Sequence, residues 1–174
     1  EAIDSVLAQT YPAKEIIIAD NGHRELDLEL IPRGEQIRTI YVGKRIGASA
    51  ARNRGVSLSQ SAYVAFLDDD DLWDENFLWF GVNRLVESGA DCVYGAKYVF
   101  SHDSSPQPYK EVSDSQLNID TLLSYNPGVG GINLIVSRRA FDQAGGFSEH
   151  LPRGNDRAFA INIMKTGAVV KSEP

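Results

Sequence analysis

Apolar residues recur along the chain in blocks whose spacing switches between two periods. Ile3, Val6 and Leu7 sit at helical spacing and predict an opening helix with no capping residue ahead of it. Glu15-Ile-Ile-Ile-Ala-Asp20 is a continuous apolar run ending in an acid, the pattern of a buried parallel strand. Arg38-Thr-Ile-Tyr-Val42 predicts a second strand, and residues 47 to about 59 a helix of small side chains and arginines. Ala62-Tyr-Val-Ala-Phe-Leu67 predicts a third strand. Residues 76–88 follow as a helix with Leu78, Val82, Leu85 and Val86 on one face. Residues 91–100 read as a strand that runs into a polar loop containing Pro106 and Pro108. A strand over 133–137, a short helix over 138–144, a helix over 156–166 closed by Gly167, and a final strand complete the pattern. The expected fold class is an α/β sandwich, a mainly parallel central sheet flanked by helices. In such sheets ligands gather at the carboxyl ends of the strands. The runs ending at Asp20 and Asp68 are therefore expected to be neighbours, or one strand apart, with both acids facing one cleft.

The 174 residues form one expected domain, long enough to bury a core without disulfides. Because the pattern opens inside a helix and stops abruptly on a strand, the chain is expected to be a fragment that has lost whatever preceded the helix. Lys and Arg total 17 against 24 Asp and Glu, a net charge of −7, and no basic stripe for a nucleic acid is present. The single cysteine, Cys92, lies among apolar residues and reads as a small core side chain. No stretch reaches the roughly 18 apolar residues that span a bilayer.

The negative charge is concentrated in Asp68-Asp69-Asp70-Asp71, directly after a predicted strand. Unit charges about 4 Å apart repel by roughly 1 kcal/mol even in water. A divalent cation such as Mg²⁺ or Mn²⁺ relieves that repulsion and prefers carboxylate oxygen. A solvated acidic turn capping the next helix is the alternative. Other motifs fail on spacing. Counted from Asp68, an EF-hand loop would need an acid or Asn at Leu72 and a glycine at Trp73. His23, His102 and His150 are isolated and read as surface residues, so zinc is unsupported. Gly128-Val-Gly-Gly131 lacks the Lys-Ser/Thr of a phosphate loop and predicts a turn or a close-approach segment beside a ligand.

Five segments, in order, resemble family 2 glycosyltransferases. Glu1-Ala-Ile-Asp-Ser-Val-Leu-Ala-Gln-Thr-Tyr-Pro12 with Glu15-Ile-Ile-Ile-Ala-Asp-Asn-Gly22 is similar to their opening. Gly47-Ala-Ser-Ala-Ala-Arg-Asn-Arg-Gly55 resembles their Ala-Arg-Asn-x-Gly segment, and Tyr63-Val-Ala-Phe-Leu-Asp-Asp-Asp-Asp71 their Asp-x-Asp motif. Ala144-Gly-Gly-Phe-Ser-Glu149 resembles their Gly-Gly-Phe-Asp-Glu signature, and Asn155-Asp156 stands where they have Glu-Asp. Asn21, Ser148 and Asn155 each replace an acid usual in the family, and against the family pattern the domain is expected to be truncated at both ends, without the first strand and the C-terminal region.

The resemblance implies a GT-A fold that moves a sugar from a nucleoside diphosphate sugar, expected to be a UDP-sugar, to an acceptor hydroxyl with inversion. By position, Asp20 would accept hydrogen bonds from the base, and Asp68 with Asp69 would lie at the nucleotide. Asp70 would ligate Mn²⁺ or Mg²⁺, and Arg52 would lie beside the nucleotide or pair with the acids. Asp156 would be the general base, its alternative being a helix N-cap. Trp73 and Trp79 would stack on a sugar or pack in the core. The implied partners are the nucleotide sugar and a glycan or lipid-linked acceptor, with no nucleic acid. The implied location is the cytoplasm, with possible peripheral attachment to the cytoplasmic face of a membrane. A sugar nucleotidyltransferase on a similar sandwich and a non-catalytic sugar-nucleotide-binding module are the competing readings.

Overall fold

The structure, a computed structural model, describes residues 1–22, 26, 29, 31–32, 34–101 and 104–173. Helix α1 (Ala2–Leu7) leads into strand β1 (Ile16–Asp20), which pairs in parallel with β2 (Ile37–Tyr41) from Ile16↔Ile37 to Asp20↔Tyr41. Helix α2 (Ala48–Leu58) buries Ser49, Ala50, Ala51 and Val56, and lies against β1 through its small residues. Strand β3 (Tyr63–Ala65) precedes the acidic run, and α3 (Phe77–Ser88) packs Leu78, Gly81 and Leu85 onto the sheet.

Strand β4 (Cys92–Gly95) is buried at every position, as a central strand should be. The predicted strand over 91–100 is broken at Ala96. Its second half is β5 (Lys97–Ser101), which forms a hairpin with β6 (Ser104–Lys110). A 3₁₀ turn (Asp114–Gln116) and α4 (Ile119–Ser124) follow. Then come β7 (Leu134–Ser137), α5 (Arg138–Gln143), α6 (Asn155–Lys165) and β8 (Val170–Glu173).

The larger sheet has the order β3-β7-β4-β8. The α/β layering is as the sequence predicts, but the sheet is mixed. β4 and β8 are parallel, whereas β7 runs antiparallel to both β3 and β4. The chain reaches β7 beside the end of β4, where the Gly95 amide donates to the Asn133 carbonyl, so β7 has only the return direction open to it. Among the described residues, β1 pairs only with β2 and β3 only with β7. The expected adjacency of the strands leading to Asp20 and Asp68 is therefore not seen there.

The main core contains four phenylalanines. Phe147 stacks on Phe159 with ring centroids 4.3 Å apart, and meets Phe66 edge-on at 5.2 Å and Phe141 at 6.0 Å. Cys92 is fully buried in this core, and desolvation pushes its thiol far above the ordinary range, as expected of an inert packing residue. Among the described residues, no helix is long and apolar enough to cross a membrane.

Candidate active site

Arg52 projects from α2 into the space between the end of β3 and the start of α6. Its Nη2 donates to both carboxylate oxygens of Asp68, at 2.6 and 2.8 Å, and its Nη1 donates to Asp156 Oδ1 at 3.1 Å. The guanidinium carbon lies 5.2 Å from the centroid of Phe147, so the aromatic core supports its face. The Arg52 side chain is only 12% exposed, while those of Asp68 and Asp156 are 38% and 36% exposed. One cation thus fixes two carboxylates that remain open to solvent. Its Nε is buried with no hydrogen-bond partner among the described residues.

Gly131 makes this packing possible. A Cβ there would sit 2.5 Å from the guanidinium carbon. The glycine run is a close-approach segment, as the sequence suggests, and what it approaches at Gly131 is Arg52. The neighbouring Asn53 joins two of the motifs. Its Oδ1 accepts from the Phe147 amide at 2.9 Å, and its Nδ2 donates to the Phe147 carbonyl and to Glu149 Oε1, both at 2.8 Å. Gly146, before that phenylalanine, has φ +71° and would place a Cβ 2.8 Å from Asn53 Oδ1. The left-handed conformation alone costs a β-carbon roughly 1–2 kcal/mol. Gly146→Ala is therefore expected to lower the melting temperature by several degrees, roughly 2–4 °C per kcal/mol for a chain of this size, read by thermal unfolding.

Among the four acids after β3, the Asp71 amide donates to the Asp68 carbonyl at 3.3 Å, closing a turn that presents Asp69 and Asp70 to solvent. Neither side chain has a hydrogen bond or ion pair to another described residue. Asp71 is partly buried. Desolvation, with the charges of Asp70 and Asp68, raises its carboxyl above the usual range, and Lys97 and Arg52 partly offset this. No group of three or more His, Cys, Asp or Glu among the described residues could enclose a metal ion. The free Asp70 carboxylate beside Asp71 instead suits a hard cation held by one or two carboxylates and completed by substrate phosphates and water.

Asp20 lies at the end of β1, outside the Arg52 group. Its Oδ1 accepts from the Gly22 amide at 2.8 Å and its Oδ2 from the Leu26 amide at 2.9 Å. Asp156 is not an N-cap. Gly154 caps α6, and Asp156 stands in the first turn, where a carboxylate complements the helix dipole. Its neighbour Asn155 has a buried Oδ1 without a partner among the described residues. Trp73 donates from Nε1 to the Ile132 carbonyl at 2.9 Å and stacks on Phe77 at 4.8 Å, so it packs internally, whereas Trp79 is exposed beside Phe80. His150 is exposed, and His23 and His102 lie outside the described residues.

Lys97, absent from the sequence-based candidates, begins β5 at the edge of the site. It is half-buried and forms no ion pair among the described residues. Burial, with Lys110 nearby, lowers its ammonium below the usual range, against the opposing pull of Asp156 and Asp71. The only local signal for it is a single lysine inside the apolar run 92–100.

The fold and this arrangement define a nucleotide-sugar-transferase type of sandwich, and the comparisons agree. The model of glycosyl transferase family 2 matches residues 1–145, so the chain belongs to that family of glycosyltransferases. It is 26% identical over 168 residues to the Escherichia coli protein named UDP-Glc:alpha-D-GlcNAc-diphosphoundecaprenol beta-1,3-glucosyltransferase WfgD, covering 94% of this chain and 63% of WfgD. It is 29% identical over 146 residues to the glycosyltransferase GlyG of Streptococcus pneumoniae serotype 4, covering 82% of this chain and 46% of GlyG. A Rickettsia felis glycosyltransferase matches 97% of this chain over 29% of its own length at 26% identity. Among solved structures, the 1–349 fragment of S. aureus TarS in complex with UDP superimposes with a TM-score of 0.74 at 18% identity, over 99% of this chain and 53% of that one. That likeness establishes the GT-A fold. The chain spans well under two thirds of the length of most of these proteins.

Proposed function

We propose that this chain is a single GT-A catalytic domain that transfers a sugar from a UDP-sugar to an acceptor hydroxyl, with inversion and with the help of a divalent metal. The observation that carries this reading is the Arg52 bridge between Asp68 and Asp156. One fixed cation pairs with both carboxylates, which supports giving Asp68 to the nucleotide and Asp156 to proton abstraction. WfgD is named for UDP-Glc, and TarS has been crystallised with UDP and with UDP-GlcNAc, which favours uridine donors.

In this reading Asp68 and Asp69 face the donor's ribose and phosphates, and Asp20 faces the base. Asp20's two backbone hydrogen bonds orient the carboxylate and leave further lone pairs for the ligand. Asp70 holds Mg²⁺ or Mn²⁺. When bound, the ion supplies Lewis-acid stabilisation to the departing diphosphate. Asp156 takes the proton from the acceptor hydroxyl. Arg52 occupies Oδ1 only, and Oδ2, without a partner among the described residues, is the oxygen that receives it. Inversion by direct displacement needs no covalent enzyme intermediate. The acceptor is a glycan or a lipid-linked glycan, WfgD being named for a diphosphoundecaprenol substrate. Such an acceptor puts the reaction in the cytoplasm, at the face of a membrane.

A melting scan with UDP, GDP and CMP, each with and without Mg²⁺ or Mn²⁺, tests the donor and metal together. UDP with metal at about 100 times its dissociation constant should add roughly 2.7 kcal/mol, or about 5–11 °C. Asp70→Asn should abolish the metal-dependent part of that shift. Equal shifts for all three nucleotides would refute the uridine assignment, and an EDTA-insensitive shift the metal. Release of UDP from a UDP-sugar in the presence of acceptor separates an active transferase from a module that only binds.

A further inference from the structure

Gly130 and Gly131 are buried side by side, and each faces a cation. A Cβ on Gly131 would meet the Arg52 guanidinium, and a Cβ on Gly130 would stand 3.0 Å from Lys97 Nζ. The same point over Gly130 is 3.2 Å from Asn133 Oδ1, so the ammonium and that oxygen share one small space. The Asn133 amide donates to the carbonyls of Gly95 and Gly128, which uses both of its hydrogens and fixes its orientation. Its Oδ1, buried and without a partner among the described residues, is the negative end of a fixed dipole beside the ammonium. Lys97 is anchored at its backbone by β5, which it opens directly after the break at Ala96.

Asp68 to Asp71 and Asp156 gather at this end of the fold, and Arg52 pairs with only two of them. Lys97 adds a second cation. Burial holds its ammonium below the usual range, and Asp156 is the strongest of the charges that oppose this. The attraction is mutual, since a cation near a carboxylate favours the charged form of both. The other groups that face Asp156 are Arg52 from α2, with Asp68 beyond it, and the Tyr94 hydroxyl from β4, which burial keeps protonated. Arg157 is its neighbour on α6 itself. On α4 and α5, which also pack on α6, Asp120, Arg139 and Asp142 are exposed, and Arg138 donates to the carbonyls of Val56 and Ser59. Removing the Lys97 charge therefore changes the field at Asp156 without breaking a hydrogen bond among the described residues.

We propose that Lys97 is a positioning residue for transfer, whose ammonium, lodged over Gly130, keeps the Asp156 carboxylate ionised as pH falls and so sets the acid limit of the reaction. The proposal rests on the reading of Asp156 as the general base and adds the group that governs its proton affinity. A carboxyl-¹³C NMR titration of the chain tests it directly, with the Asp156 signal identified by its loss in Asp156→Asn. Lys97→Met keeps the length of the side chain and removes the charge. A carboxylate that loses a neighbouring cation holds its proton to higher pH, so the Asp156 midpoint should rise by roughly 0.5–1.5 pH units in this variant. In Lys97→Arg, which keeps the charge, the midpoint should stay close to wild type. The acid limb of kcat for transfer, with donor, metal and acceptor saturating, should move with the midpoint in both variants. The melting temperature of Lys97→Met should not fall at pH 7, because the substitution relieves the burial of a charge. An unmoved midpoint in Lys97→Met would overturn the proposal and, with a lower melting temperature, would make Lys97 a packing residue. A limb that stays in place while the midpoint moves would overturn it as well. Transfer that survives Asp156→Asn would refute the base reading and take the role of Lys97 in transfer with it, although the midpoint shift would stand.

Discussion

Asp156→Asn is expected to reduce sugar transfer by roughly 10²–10⁴-fold, the range for loss of a general base, while UDP affinity with metal stays near the wild-type value. The amide cannot take a proton from the acceptor, yet it can still accept from Arg52 Nη1, so the bridge to Asp68 need not collapse. The fold should be little affected. Gly154, not Asp156, caps α6, and the loss is one favourable charge in the first helical turn, about 0.3–1 kcal/mol. Turnover and UDP affinity measured on the same preparation, with a melting curve as control, separate chemistry from binding and from folding. Wild-type turnover in the variant would move the base to another residue.

The residues of the site were legible in the sequence to different degrees. Acids at the ends of apolar segments pointed to Asp20 and to Asp68 through Asp71 without any fold. Arg52 and Asp156 could be singled out only through the family resemblance, since an arginine in a helix and an Asp near a helix start are common. Their meeting was not legible, because 104 residues separate them and the contact depends on the placement of α2 against α6. Lys97 was illegible for another reason. A single lysine in the run 92–100 reads as the solvent face of one continuous strand. Its real position follows from the break at Ala96, which turns β5 away from the sheet into its own hairpin.

The fold shows the same division. Apolar runs located β1, β2, β4, β7 and β8 to within a few residues, and α3 was evident from its amphipathic face. Direction was a different matter, since an apolar run looks the same whichever way it is traversed, and β7 runs against its neighbours. Residues 104–110 predicted a loop because of Pro106 and Pro108, yet they form β6. Among the described residues β6 pairs on one side only, with β5, and proline is tolerated on such an edge. Ile119, Leu122 and Leu123 stand at helical spacing behind the Asn118 cap, but α4 is only six residues long and buries Leu122 alone, too short a stretch for periodicity to announce.

Arg52 offers the second large expected effect, because it stabilises the fold and positions both carboxylates. Arg52→Ala removes three hydrogen bonds to charged oxygens and the contact with Phe147. Hydrogen bonds to charged groups contribute about 1.5–3 kcal/mol, but Asp68 and Asp156 are each more than a third exposed and water replaces part of the loss. The net cost should be about 1–3 kcal/mol, or a melting temperature lower by roughly 2–12 °C. Arg52→Lys separates positioning from charge. The ammonium keeps the charge and part of the stability but lacks the planar fork that reaches both acids. A displacement of about 1 Å in a reacting group can cost 10²-fold, so transfer should fall by about that factor even though the protein remains folded. The fall should appear in kcat more than in KM for the donor. Arg52→Lys combined with Asp156→Asn should lose less activity than the product of the single losses, because both act on the same carboxylate. Turnover that recovers in Arg52→Lys in proportion to stability would leave Arg52 with packing and charge balance alone, and the two acids would then be held by the backbone elements that carry them.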